Sequence, residues 1–301
     1  MKTKRIVPMT LSGRDFSEKE IRLVRSKVNK SHGLSRTELS RELSKELSWY
    51  QSNGKPKHIG CLSALKKLET LGYIKLPPLR QRYVYKSTRQ KVTITYRSDP
   101  QEKQEGRIDE YTDIKIEAVR EKSDIRLWKE YIQRYHYLGY KTVFGCQEKY
   151  FIKPGGKIAV GCLLYSTSAW RVECRDKWVG WSEKEKTERL HLIINNSRFL
   201  IFPWIKIKNL ASKVLSNSAK QIRDDWQKRY KYRPVLLESF VDPERNRGVC
   251  YQASNWKKLG HSKGRGRMGR SGEYKSTPKE VFVYPLIPSF RKELKGGYVS
   301  E

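Results

Sequence analysis

The sequence predicts an α/β (α+β) chain in two folded parts, a small helical domain followed by a larger domain on a mixed sheet. Three patterns carry this expectation. Two Ser-x-x-Glu boxes, Ser17–Glu20 and Ser35–Glu38, each open a run of helix-spaced apolar residues. Between Tyr150 and Val241 a hairpin, short apolar runs, a long helix and a buried strand follow one another, the order of a fold with a central sheet. A polar stretch separates the two. The expected boundaries are 1–90, a linker over 91–110, and 111–301.

The first box opens Ile21, Val24 and Val28, and the second Leu39, Leu43 and Leu47. A third series, Ile59, Leu62, Leu65, Leu68 and Leu71, stops at Gly72, a residue suited to a helix C-terminus. Tyr73–Leu76 and Arg82–Tyr85 flank Pro77-Pro78 and predict two short strands. Three helices and a hairpin outline a winged helix-turn-helix. Its third helix would present Lys57, His58, Ser63, Lys66 and Lys67 to a DNA groove; a solvated basic face is the alternative. Val92–Tyr96 reads as a strand, and Ser98–Gly106 as a flexible connection. Then come a helix with Trp128, Tyr131 and Ile132, the hairpin around Pro154-Gly155-Gly156, and apolar runs at His191–Asn196 and Phe199–Ile201. A helix over Leu210–Ile222 and a strand over Val235–Val241 complete the order.

The chain has 301 residues, with 64 Lys+Arg against 32 Asp+Glu, a net charge of +32. Nucleic acid is the expected partner of so basic a protein. A hydrophobic share of 37% with 8 Trp and 18 Tyr excludes a disordered basic tail. No apolar run approaches the ~20 residues of a membrane helix. No signal-peptide-like segment follows Met1–Arg5, so a cytoplasmic protein is expected, with no membrane partner. Five cysteines without a CxxC predict neither a disulfide scaffold nor a zinc ribbon.

Three motifs stand out: Tyr135-His136-Tyr137-Leu138-Gly139-Tyr140, His191 through Ile201, and Leu237 through Gly260. Together they resemble the DruA family, named for a component of the Druantia anti-phage defence system, with related domains found beside transposases. The resemblance covers about residues 110–270. It implies a role in phage defence or the handling of mobile DNA, with defence proteins such as a helicase as partners. Glu238 to Trp256 is also distantly similar to Mom-type DNA-modification proteins of N-acetyltransferase-like (GNAT) fold. The matching positions are Asp242, Gly248, Tyr251, Ala253, Asn255 and Trp256, with His136-Tyr137 as the early pair. That similarity implies a GNAT-like sheet, with Lys208, Asn209, Ser212 and Lys213 at the pyrophosphate of acetyl-coenzyme A. The stretch holds no glycine of the kind that lets a backbone approach phosphate. A divalent metal is the other cofactor considered; spaced His or Cys ligand motifs are missing from the sequence.

Asp242, His136, Tyr251, Asn255 and Glu238 are the candidate catalytic residues. Glu238 and Asp242 share a strand face if the strand persists, and a buried carboxylate can act as acid or base. Asp242 can instead cap a turn with Arg245 or Arg247. His136 is a base or a member of an aromatic core. Arg198 is an anion contact or an internal ion pair. Arg247 and Trp256 join it as DNA candidates, and Cys250 reads as a small buried residue. A loop over 261–275, with Lys263, Arg265, Arg267 and Arg270 spaced by glycines, suits phosphate contacts; a solubilising loop is the alternative. Two function classes stay open: an enzyme that modifies or nicks DNA, and a non-catalytic recognition subunit.

Overall fold

Capping chemistry fixes the first helices. A computed structural model describes residues 6–31, 33–52, 54–78, 92–111, 113–156, 158–264 and 277–297. It divides into two compact units, Met1–Arg89 and Gln90–Glu301.

The N-terminal unit opens with a hairpin absent from the sequence expectation, β1 (Met9–Leu11) against β2 (Arg14–Phe16). Its two turn residues, Ser12 and Gly13, both take positive φ, as a two-residue hairpin turn demands. Helices α1 (Glu18–Lys30) and α2 (Arg36–Glu46) follow, and both expected capping boxes form. Helix α3 (His58–Thr70) buries Cys61, Ala64, Leu65 and Leu68. The stripe therefore differs from the expected one: Ile59 is 73% exposed and Leu71 42%. Tyr73, Ile74 and Leu76 are buried, but they form no strand. The expected second strand, Arg82–Tyr85, lies outside the described residues. Lys57, Ser63, Lys66 and Lys67 are exposed, and His58 is half-buried.

The C-terminal unit begins earlier than the expected linker allows. Val92–Tyr96 is not a strand. The Thr95 backbone N–H and hydroxyl both donate to buried Glu130, and Arg134 pairs with Asp99 at 2.6 Å. Strand β3 (Gln104–Arg107) then pairs in parallel with a later strand. The supposed flexible connection is thus bonded to the fold, through buried Glu130, Arg134 and the backbone pairing of β3.

In chain order there follow β4 (Ile114–Ala118), α4 (Lys122–Tyr135), β5 (Gln147–Pro154), β6 (Gly161–Thr167), α5 (Glu173–Val179), α6 (Glu183–Arg189), β7 (Ile193–Ile201), β8 (Ile205–Lys208), α7 (Leu210–Tyr230), β9 (Leu236–Val241), α8 (Val249–Ala253), β10 (Lys257–His261), β11 (Glu280–Pro285) and α9 (Phe290–Leu294). The expected mixed α/β sheet is present: seven strands in the order β10-β11-β9-β7-β6-β5-β4. All neighbours are antiparallel except β7 and β9, which run parallel. Strand β8 pairs with β3 instead.

Alternation along the strands sorts residues between two apolar clusters. Ile193, Leu236 and Val283 pack with Val179, Leu190, Phe290 and Leu294. Ile194, Leu237 and Phe282 pack with Val214, Leu215 and Trp226. Glu238 shares the face of Leu236, and Ser239 the face of Leu237. Among the described residues, no helix is long and apolar enough to cross a membrane.

Candidate anion-binding site at the end of the central strands

The parallel pairing of β7 with β9 stops at Asn196↔Ser239. Beyond it, Ser197–Phe199 on one strand and Phe240–Asp242 on the other line a cavity of about 330 Å³. In open α/β sheets, ligands sit at the carboxyl ends of strands. A register shift helps open this end. Leu164 pairs with Arg198 and Tyr165 with Asn196, which leaves Ser197 as an extra residue in β7. His136–Leu138, at the end of α4, and Asn246–Tyr251, at the start of α8, complete the lining.

The floor is a closed hydrogen-bond network. The Tyr251 hydroxyl donates to Asn196 Oδ1 at 2.8 Å, and the Ser239 hydroxyl lies 3.0 Å from Tyr251 Oη and 3.1 Å from the Asn196 carbonyl. Tyr251 stacks on Phe282 at 5.4 Å between ring centres and meets Trp256 edge-on at 5.1 Å. Burial pushes the Tyr251 hydroxyl pKa far above its ordinary value. That hydroxyl is a fixed, neutral part of the floor.

Arg198 is the unusual member. It is partly buried. Its Nη1 donates to the Ser197 carbonyl at 2.6 Å and its Nε to the Gly139 carbonyl at 3.4 Å. Burial lowers its pKa, and no carboxylate among the described residues counters that shift. The guanidinium nevertheless stays charged. Internal ion pairing, the alternative reading of Arg198, is therefore not what the structure shows among the described residues.

At the rim, Tyr137 stacks on His136 at 4.9 Å, and the Arg245 guanidinium lies 5.0 Å from its ring centre. Lys279 donates to the Tyr137 hydroxyl at 3.2 Å. Asp242 accepts the Glu244 backbone N–H at 3.3 Å, with Arg245 and Lys279 about 4 Å away. This is the turn-capping arrangement. Arg247 is exposed at the cavity edge.

His136 accepts the Leu138 backbone N–H on Nδ1 at 3.2 Å. Its pKa is lowered to about 4, first by burial and then by Arg198 and Lys279. A neutral ring whose Nδ1 accepts carries its proton on Nε2, so His136 is a donor rather than a ready base. In the unfolded chain the ring protonates near 6.5, against about 4 when folded. Between these values the unfolded state holds more protons, so stability falls as pH drops from 6.5 toward 4; above 6.5 both states are neutral and the contribution is constant. We expect a loss of up to about 3 kcal/mol over that window. Urea titrations at neutral and acid pH should show His136→Gln losing less stability on acidification than the parent; equal acid losses would contradict a buried neutral ring.

The remaining sequence candidates lie elsewhere. Glu238 does not converge with Asp242. It faces α5, where Arg175 Nη1 donates to it at 2.6 Å and both side chains are fully buried. The strand ends at Val241, so Asp242 leaves the alternation that would have aligned the two. Asn255 follows α8 with positive φ and does not line the cavity. Trp256 is 4% exposed and cannot stack on a base. Lys263 pairs with Glu173 at 2.5 Å, away from the cavity lining. Arg265, Arg267 and Arg270 lie outside the described residues. Asn196, Ser239, Phe199 and Lys279 are site residues that sequence reasoning did not single out, and Tyr137 and Arg245 entered it only as a motif position and a turn partner. Among the described residues, no group of three or more His, Cys, Asp or Glu is placed to hold a metal.

The residues at the start of α7 lack the glycine turn of the expected acetyl-coenzyme A site. Lys208, Asn209 and Lys213 are exposed, and the Ser212 hydroxyl bonds back to the Asn209 carbonyl at 3.0 Å. The backbone of Ile205–Lys208 is already paired with Gln104–Arg107, and Lys206 faces Glu105 at 3.7 Å. Asn209 takes positive φ before α7 with no side-chain cap, and the stretch holds no glycine to ease close backbone approach.

A family profile described as Druantia protein DruA matches residues 67–277. No curated protein sequence matches the chain. Solved structures similar to it include spermidine N-acetyltransferase from Vibrio cholerae in complex with CoA and spermine, at 11% identity and a TM-score of 0.36, covering 57% of this chain and 95% of that one. Spermidine/spermine N-acetyltransferase from Vibrio cholerae in complex with manganese ions aligns at 11% identity and a TM-score of 0.38, covering 58% of this chain and 94% of that one.

Proposed function

Since the chain belongs to the DruA family of Druantia proteins, we propose that this defence-system component is a DNA-recognition subunit whose C-terminal cavity binds a backbone phosphate. The observation that carries the reading is Arg198, a partly buried guanidinium in a cavity with no carboxylate partner among the described residues. A fork of N–H donors suits phosphate. Arg245, Arg247 and Lys279 stand around the same opening, with Asp242 as the one carboxylate among the lining residues. The surplus agrees with the net charge of +32. In the N-terminal unit, Lys57, Ser63, Lys66 and Lys67 on the exposed side of α3 suit contact with duplex, with His58 beside them. A subunit of this kind acts by bringing partner proteins, a helicase among them, to invading DNA.

Recognition without chemistry is favoured by the state of each candidate acid or base. Glu238 is neutralised by Arg175, Tyr251 is locked by Asn196, His136 offers a proton rather than taking one, and Asp242 caps a turn.

Labelled DNA binding across a salt series tests the reading. Each phosphate neutralised should add about 0.9 to the log–log slope. Arg198→Met should cost roughly 10-fold or more in affinity, the worth of a charge-assisted hydrogen bond. An unchanged affinity in that variant, or binding indifferent to salt, overturns it. Incubating DNA with the protein and a divalent metal or acetyl-coenzyme A should leave the strands intact and their mass unchanged. Nicks or added mass that vanish in Asp242→Asn would instead establish the enzyme.

A further inference from the structure

We infer that the cavity takes one unpaired nucleotide of a DNA strand, its phosphate against Arg198 and its base against the apolar wall, so that the C-terminal unit prefers single-stranded ends or gaps to intact duplex. The inference rests on the phosphate-binding reading above and adds the ligand's form.

Size is the first argument. About 330 Å³ lies at the lower end of the ~300–1,000 Å³ range of small-ligand cavities, room for one nucleotide and not for a base pair with its two backbones. The second is the division of the lining. Leu138, Phe199, Phe240 and Val249 supply apolar surface, while Asn246 and the His136 imidazole supply hydrogen-bonding groups. A cavity meant for inorganic phosphate has no use for the apolar half. The third is the position of the charge. A duplex carries its phosphates outside, where exposed Arg245 and Arg247 can reach them. Arg198 is recessed, with its Nη1 and Nε held by backbone carbonyls. A phosphate that meets it must enter the cavity, and its nucleotide enters with it. In a paired strand that requires extruding a base, at a cost of a few kcal/mol that an unpaired strand does not bear.

The cavity floor is also rigid. The Tyr251–Asn196–Ser239 network and the stack on Phe282 hold the floor before any ligand arrives. A fixed floor lowers the ordering cost of binding. Tyr137 does not provide the stacking surface, since His136 and Arg245 already flank its ring. The base contacts therefore fall to Phe199 and its apolar neighbours.

Nucleotide chemistry has two sources, a strand and the free monophosphate, and competition separates them. The full chain is titrated by fluorescence anisotropy with a thymidine oligomer of roughly a dozen nucleotides, and with a blunt duplex of equal length, in roughly 0.15 M salt. The single strand should bind about tenfold more tightly than the duplex, the lower end of the 1–3 kcal/mol typical of one base contact. Arg198→Met should remove most of that preference. Val249→Trp is the second variant: Val249 lines the cavity yet is 62% exposed, so tryptophan there plugs the opening without entering the core. It should abolish the preference while duplex binding persists. Thymidine monophosphate should displace the oligomer only at far higher concentration than unlabelled oligomer does. If it displaces at similar concentration, the ligand is the free nucleotide and the strand reading is overturned. Equal affinity of the parent for single strand and duplex sinks the nucleotide pocket but leaves phosphate binding standing. If neither DNA binds, the proposed function itself is overturned.

Discussion

Arg175→Met should lower the stability of the C-terminal unit by about 3–5 kcal/mol, the usual cost of leaving one partner of a buried ion pair uncompensated. Arg175 and Glu238 are both fully buried and lie 2.6 Å apart. Glu238 has one other donor, the Ala169 backbone N–H at 2.8 Å. Arg175 also bonds Asp176 at 2.7 Å and the Ala169 carbonyl at 2.9 Å. The guanidinium thus ties α5 and the segment before it to the middle of β9. Methionine fills most of the volume, so the loss measures the stranded carboxylate rather than a void. The asymmetry of buried pairs gives the control: Arg175→Met with Glu238→Leu removes both charges and should recover much of the loss. Guanidinium titrations of the parent, the single and the double variant decide it. A double variant less stable than the single one refutes the account.

Gly248→Ala should cost about 2–4 kcal/mol, from two effects that a comparison can separate. Gly248 has φ +66 at the start of α8, in the left-handed region that disfavours any side chain. A Cβ there would also lie 2.6 Å from Phe282 Cζ, the ring on which Tyr251 stacks. Gly155, in the β5–β6 turn, has a similar φ of +60 but nothing within 4 Å of its Cβ position. Gly155→Ala therefore carries the backbone term alone, about 1–2 kcal/mol. The difference between the two variants in urea measures the contact with Phe282. Because that ring supports the cavity floor, Gly248→Ala should weaken DNA binding as well, and Gly155→Ala should not. Equal losses in the two variants would falsify the steric part.

Helices were readable where the signal is local. Ser17 with Glu20 and Ser35 with Glu38 are three residues apart, and both caps form. The β5–β6 hairpin and the start of α7 are equally plain, since turn glycines and apolar spacing act over a few residues, but α7 runs past the expected Ile222 to Tyr230. Where a side chain's partner is distant, the local sequence does not identify it. The helix-spaced apolar residues of α3 suggested Ile59 as core, yet Cys61 and Ala64 take the inner face. Residues 91–110 resemble a linker with a short strand at Val92–Tyr96, because nothing nearby shows that Glu130 waits for Thr95 or that β8 needs a parallel partner.

The candidate site shows the same division. The sequence by itself named His136, Asp242, Tyr251, Arg198 and Arg247, and the fold brings all five to one cavity. It could not assign their states. Whether Glu238 faces Asp242 or Arg175 depends on which strand face is inward and on where β9 ends, facts set by pairing with β7 and β11. Asn196 became part of the floor only through its register opposite Ser239, 43 residues away. Composition and short-range pattern determined the capped helices α1 and α2, the β5–β6 hairpin and the strong positive charge. Long-range strand pairing decided which carboxylate is neutralised, which tyrosine is locked and which arginine is left facing open space. Burial and ion pairing are properties of neighbours in space, and a chain's local sequence does not contain them.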